Sequence, residues 1–178
     1  LTEDGKVTAW GMTRRSGGNN TVPSTLSEVK TIFSSRVAFA ALLQDDDRIK
    51  TWGCGDSSGT PINDTVPSTL SRVKTVSSTF SAFAALYDTD TETGRVASWG
   101  SSSHGGDNSV PSTLSNIKAI YSNAYAFTAL SEDGLCTSWG HGSSGGDNVV
   151  PSSLSGVSMV YSTISAFAAL TNDGMVKA

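Results

Sequence analysis

A five-residue segment that returns four times constrains this chain more than any other feature. Val-Pro-Ser-Thr-Leu occupies 22–26, 66–70 and 110–114, and it recurs at 150–154 with Ser in place of Thr. Successive copies lie 44, 44 and 40 residues apart. Such a period is typical of a fold that stacks one small supersecondary unit, because a single unit cannot bury its own apolar surface.

Two further markers repeat in the same order. Ala-Phe-Ala-Ala-Leu, with one Thr substitution, and a closing Trp-Gly pair each occur four times, the pairs beginning at Trp10, Trp52, Trp99 and Trp139. We therefore predict a single repeat domain spanning 1–178. Its units lie at approximately 1–42, 43–86, 87–130 and 131–170, followed by an overlapping hairpin at 170–178.

The third unit shows the strands most clearly. Ile117 to Ser122 alternates apolar and polar residues, which predicts a half-buried strand, and Tyr125 to Leu130 is apolar enough for a strand buried on both faces. Leu135 to Trp139 follows as the returning strand. We expect a short fourth strand at Val149 and Val150, and a single turn at each Pro-Ser-Thr-Leu-Ser.

The connection between the second and third strands carries a turn signal. Asp133-Gly134 predicts a two-residue hairpin in which both turn positions have positive φ. The same connection contains Asp4-Gly5 in one copy and Asp173-Gly174 in another. In the two remaining copies it differs in sequence and length, at residues 45–47 and 88–94. Because insertions at an exposed tip cost little loop-closure entropy, we expect these tips to lie on the surface.

These patterns predict an all-β fold: four small antiparallel sheets in tandem, as a β-propeller or a propeller-like array. No segment shows a sustained helical period of 3.6 residues. The small residues of Ala-Phe-Ala-Ala-Leu favour a position near a crowded axis, and each tryptophan would fill the widening gap between blades.

The first eleven residues, Leu1 to Gly11, have the form Leu-x-x-Asp-Gly-x-Val-x-x-Trp-Gly. This string resembles the repeat of the regulator of chromosome condensation family, and the cycle of strand, Asp-Gly, Trp-Gly, Gly-rich loop and Val-Pro does so in all four units. The resemblance implies a propeller, typically seven-bladed, and a role as a guanine-nucleotide exchange factor, a chromatin binder or a protein scaffold.

The chain departs from that family in its units and loops. Its units are shorter, and Gly-Gly-Asp-Asn at 105–108 and 145–148 replaces the usual Gly-Gln-Leu-Gly. The family's His before the Ala-Leu strand is replaced by alanine in every unit, at Ala38, Ala82, Ala126 and Ala166. No residue therefore carries nucleotide exchange over to this chain.

The segments 1–9 and 170–178 occupy the same phase of the repeat. Two interpretations stay open: the chain is a slice of a longer array or larger propeller, or the terminal strands of one copy complete another by strand addition and build a filament.

Composition excludes several classes of function. The net charge is −4 and only 16% of residues are charged, so we expect no nucleic-acid partner and no membrane insertion.

Gly55 to Gly59 matches a nucleophile elbow, but Pro61 follows where that motif needs a helix. His104 and His141 read as solvated loop residues. We expect no catalytic residue, metal or cofactor, and the chain is predicted not to be an enzyme.

Asn19 and Asn63 are glycosylation candidates, since each begins an Asn-x-Thr sequon at the same phase of adjacent units. They favour an extracellular or cell-surface glycoprotein. Cys54 and Cys136 lie at different phases of their units, and the sequence leaves their pairing open.

Three functions remain as hypotheses. The first is a non-catalytic structural or interaction module that binds proteins or copies of itself. The second is a glycan-binding propeller lectin, which should repeat a polar and aromatic pocket in every unit. The third is an intracellular exchange-factor or chromatin-type propeller.

Overall fold

The computed structural model describes residues 1–10, 22–24, 26–44, 48–54, 66–68, 70–106, 110–147, 150 and 154–178. Within them the chain forms four three-stranded antiparallel sheets, here named blades 1 to 4 in chain order, and no α-helix. The strands are β1 Val29–Ser34, β2 Ala38–Leu43, β3 Ile49–Gly53, β4 Val73–Ser78, β5 Ala82–Tyr87, β6 Arg95–Gly100, β7 Ile117–Ser122, β8 Ala126–Ser131, β9 Cys136–Gly140, β10 Val157–Ser162, β11 Phe167–Thr171 and β12 Val176–Lys177. Short 3₁₀ turns follow blades 2 and 3, at Ser102–His104 and Gly142–Ser144.

The strands agree with the sequence prediction, apart from the fourth one. The first strand of blade 3 is Ile117–Ser122 as predicted, and the second and third are displaced by one residue. Val150 belongs to no strand, so the edge strand predicted at Val149 and Val150 is wrong at that residue. Val149 lies outside the described residues. The single turn is confirmed where Leu114 N–H donates to Pro111 O at 3.1 Å.

The first strand of each blade lies against the first strand of the next. Ser78 Oγ donates to Ser34 O at 2.8 Å, and Ser162 Oγ donates to Ser122 O at 2.9 Å. These strands converge on the propeller axis. The expectation that Ala-Phe-Ala-Ala-Leu lies near the axis is therefore wrong: it is the middle strand of each sheet. Its residues are small because both faces are covered, as at the fully buried Ala84 and Ala85.

Trp99 and Trp139 pack between blades, as predicted, whereas Trp10 is 78% exposed. Trp99 stacks on Phe83 of its own sheet, with ring centroids 5.7 Å apart, and joins a core cluster with Ala38 and Leu42 of blade 1. Trp139 and Phe127 repeat this arrangement toward blade 2, at 5.3 Å. Truncating such a buried ring costs about 3–5 kcal/mol, so these rings dominate the cohesion between blades.

The hairpin tips of blades 2 and 3 dock on the following blade. The carbonyl of Gly134 accepts a hydrogen bond from Val157 N–H at 3.0 Å, and Gly94 and Ile117 are joined in the same way at 3.0 Å. The predicted two-residue turn is wrong. Gly134 N–H donates to Ser131 O, Ser131 N–H donates to Leu135 O, and only Gly134 has positive φ. This is a three-residue loop with glycine in the left-handed position.

A second left-handed residue precedes each first strand. Glu28, Arg72 and Asn116 have φ of 53°, 45° and 52°, and Gly156 occupies the equivalent position in blade 4. The carbonyl of Asn116 accepts a hydrogen bond from Glu132 N–H at 2.9 Å. Holding a non-glycine residue in this region costs about 1–3 kcal/mol, and the bond to the neighbouring strand offsets that cost.

Alanine substitutions at two equivalent tip glycines measure how much the docking of a tip on the next blade contributes to stability. Gly134 and Gly174 have nearly the same φ, 79° and 81°. A Cβ on Gly134 would lie 2.9 Å from Val157 N, whereas a Cβ on Gly174 meets nothing within 4 Å. We expect Gly174→Ala to lower the free energy of unfolding by about 1–2 kcal/mol through backbone strain, and Gly134→Ala to lower it by a further ~1–2 kcal/mol. Urea unfolding measures both, and equal losses would contradict tip docking.

Candidate protein-binding surface

The loops that join the first and second strands meet at one end of the axis. We call them the axial loops: residues 35–37, 79–81, 123–125 and 163–165. With the adjoining strand ends they line a groove of about 440 Å³ to which all four blades contribute. Equivalent positions of the repeat are thereby brought side by side.

A repeated polar residue fixes the shape of each loop. Ala38 N–H donates to Ser35 Oγ at 3.0 Å, Ala82 N–H to Thr79 Oγ1 at 3.1 Å, and Ala126 N–H to Asn123 Oδ1 at 2.8 Å. These side-chain acceptors satisfy backbone donors that the turn would otherwise leave unpaired. The loop backbone is therefore held by its own sequence.

Main-chain bonds also connect neighbouring axial loops. Phe80 N–H donates to Ala124 O at 2.9 Å, and Ala124 N–H donates to Ile164 O at 3.1 Å. Both donors and both acceptors occupy the same phase of the repeat. The loops of blades 2, 3 and 4 consequently form one connected rim.

The residue after the fixed polar position differs in every blade. It is Arg36, Phe80, Ala124 and Ile164 in blades 1 to 4. Arg36 is exposed, Phe80 is half-buried and Ile164 is 65% exposed. Ala124 is buried, so the repeating frame presents three different side chains, Arg36, Phe80 and Ile164, at its rim.

An aromatic row extends along this rim. The Arg36 guanidinium lies 5.1 Å from the centre of the Phe80 ring, a cation–π contact. The Phe80 and Tyr125 rings meet edge to face at 5.2 Å. Tyr125 in turn lies 5.4 Å from His104 and 6.1 Å from His141. Aromatic residues and arginine are enriched in protein interfaces, so the row suits protein recognition.

His104 differs from the solvated loop residue that the sequence suggested. It is half-buried beside Tyr125, and its Nδ1 lies 2.9 Å from Ser103 Oγ. Burial, together with the charge of nearby His141, lowers the pKa of His104 below its usual range. Sequence reasoning missed this cluster because the two histidines stand at different offsets from their Trp-Gly pairs.

The hairpin tip with three acidic residues holds its charges in ion pairs. Asp88 pairs with Lys74 at 2.9 Å, Asp90 with Arg72 at 2.7 Å, and Glu92 with Arg95 at 3.4 Å. Lys74 and the Gly94 N–H lower the pKa of Asp88. In the described ranges, no three His, Cys, Asp or Glu side chains are grouped to hold a metal ion.

The other sequence candidates separate into two sets. Asn19, Asn63 and the segment 55–59 lie outside the described residues. Cys54 and Cys136, in blades 1 and 3, are not joined by a disulfide. Burial raises the pKa of Cys136 to about 11, so this thiol is a poor nucleophile at neutral pH. No helix in the part of the chain that the structure describes is long and apolar enough to span a membrane.

Known structures share this arrangement of sheets. One is Prp20p from Saccharomyces cerevisiae, a protein studied for its binding to Gsp1p and histones. Its identity to this chain is 17% and the TM-score is 0.52, and the match covers 83% of this chain and 42% of that one. Another is yeast RCC1 (Prp20) bound to Kap60: 16% identity, TM-score 0.51, covering 75% and 39%. The chain has an RCC1-like propeller fold. It spans about two fifths of either relative.

Comparison at the level of sequence gives no further relatives. No family model matches the chain, and no curated protein matches it. The RCC1-like resemblance read from the Trp-Gly and Asp-Gly repeats is confirmed as a resemblance of fold.

The buried tryptophans bear on the lectin hypothesis. Trp52, Trp99 and Trp139 are 1%, 0% and 3% exposed, and each stacks on a phenylalanine of its own sheet. Sugar rings cannot reach indoles that lie inside the blade interfaces. The aromatic residue that repeats most faithfully therefore belongs to the core.

The lowered pKa of His104 predicts a pH dependence of stability. Because His104 takes up protons more readily in the unfolded chain, where its pKa is about 6.5, unfolding is favoured as the pH falls below about 7. We expect the free energy of unfolding to decrease from about pH 7.5 to pH 5.5, and to decrease less in His104→Phe, which cannot titrate. Urea unfolding across this range tests it, and parallel curves for the two proteins would contradict it.

Proposed function

We propose that this chain is a non-catalytic interaction module that binds partner proteins through its axial loops. The observation that carries this proposal is the rim itself, where Arg36, Phe80 and Ile164 stand at one position of a repeating, hydrogen-bonded frame. Variable side chains on a rigid scaffold are the usual arrangement of a recognition surface.

The chemistry of the rim supports a protein as the partner. Its groove is lined by all four blades, and the rim combines one exposed cation, two half-buried aromatic rings and an exposed aliphatic side chain. Because the loops are already ordered by their internal hydrogen bonds, binding loses little conformational entropy. The similar structures were studied with Gsp1p, histones and Kap60, which are all proteins.

An exchange-factor role is the second candidate, and the fold shared with Prp20p is what favours it. Accelerated nucleotide release from a small GTPase upon addition of the chain would support this role over simple binding. Binding without accelerated release is the result that the interaction-module proposal expects.

We further propose an extracellular or cell-surface location, where the module would serve in adhesion or in building a structure. The two sequons at Asn19 and Asn63 support this part of the proposal.

Variants of the rim test the binding proposal. Phe80→Ala and Ile164→Asp remove apolar surface at the groove, and we expect each to weaken partner binding by at least about 30-fold, as for a central interface residue. Quantitative enrichment from extracts of the source cells identifies the proteins held by the wild-type chain. Titration of one purified partner then gives the affinities.

The matched control is Glu132→Ala, which lies at a hairpin tip at the opposite end of blade 3 and is exposed. We expect this variant to bind as the wild type does. Equal binding by the rim variants and the control would show that the axial loops are not the site.

Glycosylation gives a separate test of location. Expression through the secretory pathway of a eukaryotic cell should add a glycan at Asn19, Asn63 or both, seen as a mass that glycosidase treatment removes. Asn19→Gln and Asn63→Gln should each abolish the corresponding increment, and an unmodified secreted chain would contradict this part of the proposal.

A further inference from the structure

A groove of about 420 Å³ runs across the outer edge of blade 2. Its lining reaches both faces of the sheet: Tyr87 and Ala97 belong to the core shared with blade 1, whereas Val96 packs on the core shared with blade 3. The groove therefore crosses β6, the outermost strand of the blade. Its volume lies within the ~300–1,000 Å³ that is usual for a ligand site.

The two walls of the groove come from the same segment of successive repeats. Pro67 and Ser68 contribute to one wall, and Pro111 and Ser112 contribute to the other. Both serines are exposed, whereas the leucine of the same motif is buried in both copies. The Val-Pro-Ser-Thr-Leu motif is thus anchored in the core and frames the groove with its exposed turns.

The main chain of β6 is open at Val96. Ser101 N–H donates to Ser81 O at 2.9 Å, which makes these residues a hydrogen-bonded pair of the antiparallel ladder. Such pairs alternate with non-hydrogen-bonded ones, so Val96, opposite Leu86, directs its N–H and C=O away from β5. Within the described ranges neither group has a hydrogen-bond partner. An open edge of this kind accepts an added strand.

Two side chains on one face of this edge supply hydrogen-bond donors. Tyr87 and Arg95 are opposite each other in the ladder, and both line the groove. Tyr87 is only 7% exposed, and its hydroxyl has no hydrogen-bond partner in the part of the chain that the structure describes. Arg95 pairs with the exposed Glu92 at 3.4 Å, which leaves other guanidinium donors free. Since the residues that line the groove include no Asp or Glu, this face favours an anionic group.

The other face of the edge is apolar. Val96, Val110 and Leu114 line it and pack with the core between blades 2 and 3. Because successive side chains of a strand point to opposite faces, an added strand would place one residue on this apolar surface and the next beside Tyr87 and Arg95. An apolar residue followed by an acidic one therefore matches the groove.

The combination of tyrosine and arginine occurs only in blade 2. The residues at the two equivalent positions are Leu43 and Arg48 in blade 1, Ser131 and Leu135 in blade 3, and Thr171 and Met175 in blade 4. The blade therefore forms without this pair, and each member can be replaced by a residue that the repeat already tolerates.

We propose that the outer edge of blade 2 binds an extended acidic segment of a partner protein. The segment adds a strand to β6, and its main chain bonds to the N–H and C=O of Val96. An apolar side chain of the segment lies on Val96 and Leu114. The carboxylate of the adjoining residue displaces Glu92 and accepts hydrogen bonds from Tyr87 Oη and the Arg95 guanidinium. This second binding site goes beyond the function proposed for the axial loops.

Fluorescence anisotropy with synthetic peptides tests the proposal. The probe is the labelled peptide STVEVTS, which places its glutamate on one face of a strand and its valines on the other. We expect saturable binding, and at least about 10-fold weaker binding of STVKVTS. Tyr87→Phe and Arg95→Leu should each raise the dissociation constant for STVEVTS by at least about 10-fold. Arg48→Leu is the matched control, since it removes the equivalent arginine of blade 1 and should leave binding unchanged.

A proline at the edge tests strand addition separately. Val96→Pro removes the outward N–H and leaves the ladder with β5 intact, because proline is tolerated where the N–H faces outward. We expect this variant to fold and to lose the peptide.

No saturable binding by the wild type, equal binding of the two peptides, or unchanged binding by Tyr87→Phe and Arg95→Leu overturns the proposal. Self-association that Arg95→Leu abolishes would assign the edge to a second copy instead. Phe80→Ala should bind STVEVTS as the wild type does, so the proposals for the edge and for the axial loops fail independently.

Discussion

A three-stranded sheet with two apolar faces cannot be stable alone in water, and the remaining structure follows from that constraint. Each blade of this chain covers one face of the next, and the middle strands have small residues because the neighbouring sheets approach closely. The tryptophan–phenylalanine stack fills the space that opens away from the axis. The docked tip glycines of blades 2 and 3 add a main-chain hydrogen bond to the following blade.

This division of roles separates stability from recognition. At one end of blades 2 and 3 the tip glycine is occupied by a contact with the next blade, and the left-handed residue bonds within its own blade. At the other end, the axial loops are held by a short polar side chain and a few main-chain bonds, so the adjacent residue can vary without cost to the fold. Arg36, Phe80, Ala124 and Ile164 show that variation.

The sequence predicts the features that depend on pattern and repetition. The strand at Ile117–Ser122 follows from alternation, and the interblade position of Trp99 follows from its recurrence. Features that arise from tertiary contacts cannot be predicted from the sequence. Nothing in Glu28 or Arg72 indicates positive φ, because the hydrogen bond that offsets the strain comes from a neighbouring strand. The His104–Tyr125 contact likewise joins residues whose offsets in the repeat differ.

The serine hydroxyls that join adjacent blades near the axis bear on how such a chain gains or loses repeats in evolution. The hydroxyls of Ser78 and Ser162 donate to the main chain of the preceding blade, and a carbonyl oxygen is present there whatever residue carries it. The contact between adjacent blades near the axis therefore does not depend on which side chains the neighbouring blade carries. Duplication or loss of a whole unit by recombination leaves these bonds intact, whereas a shift by part of a unit breaks all of them. Selection on such a gene acts on whole repeats.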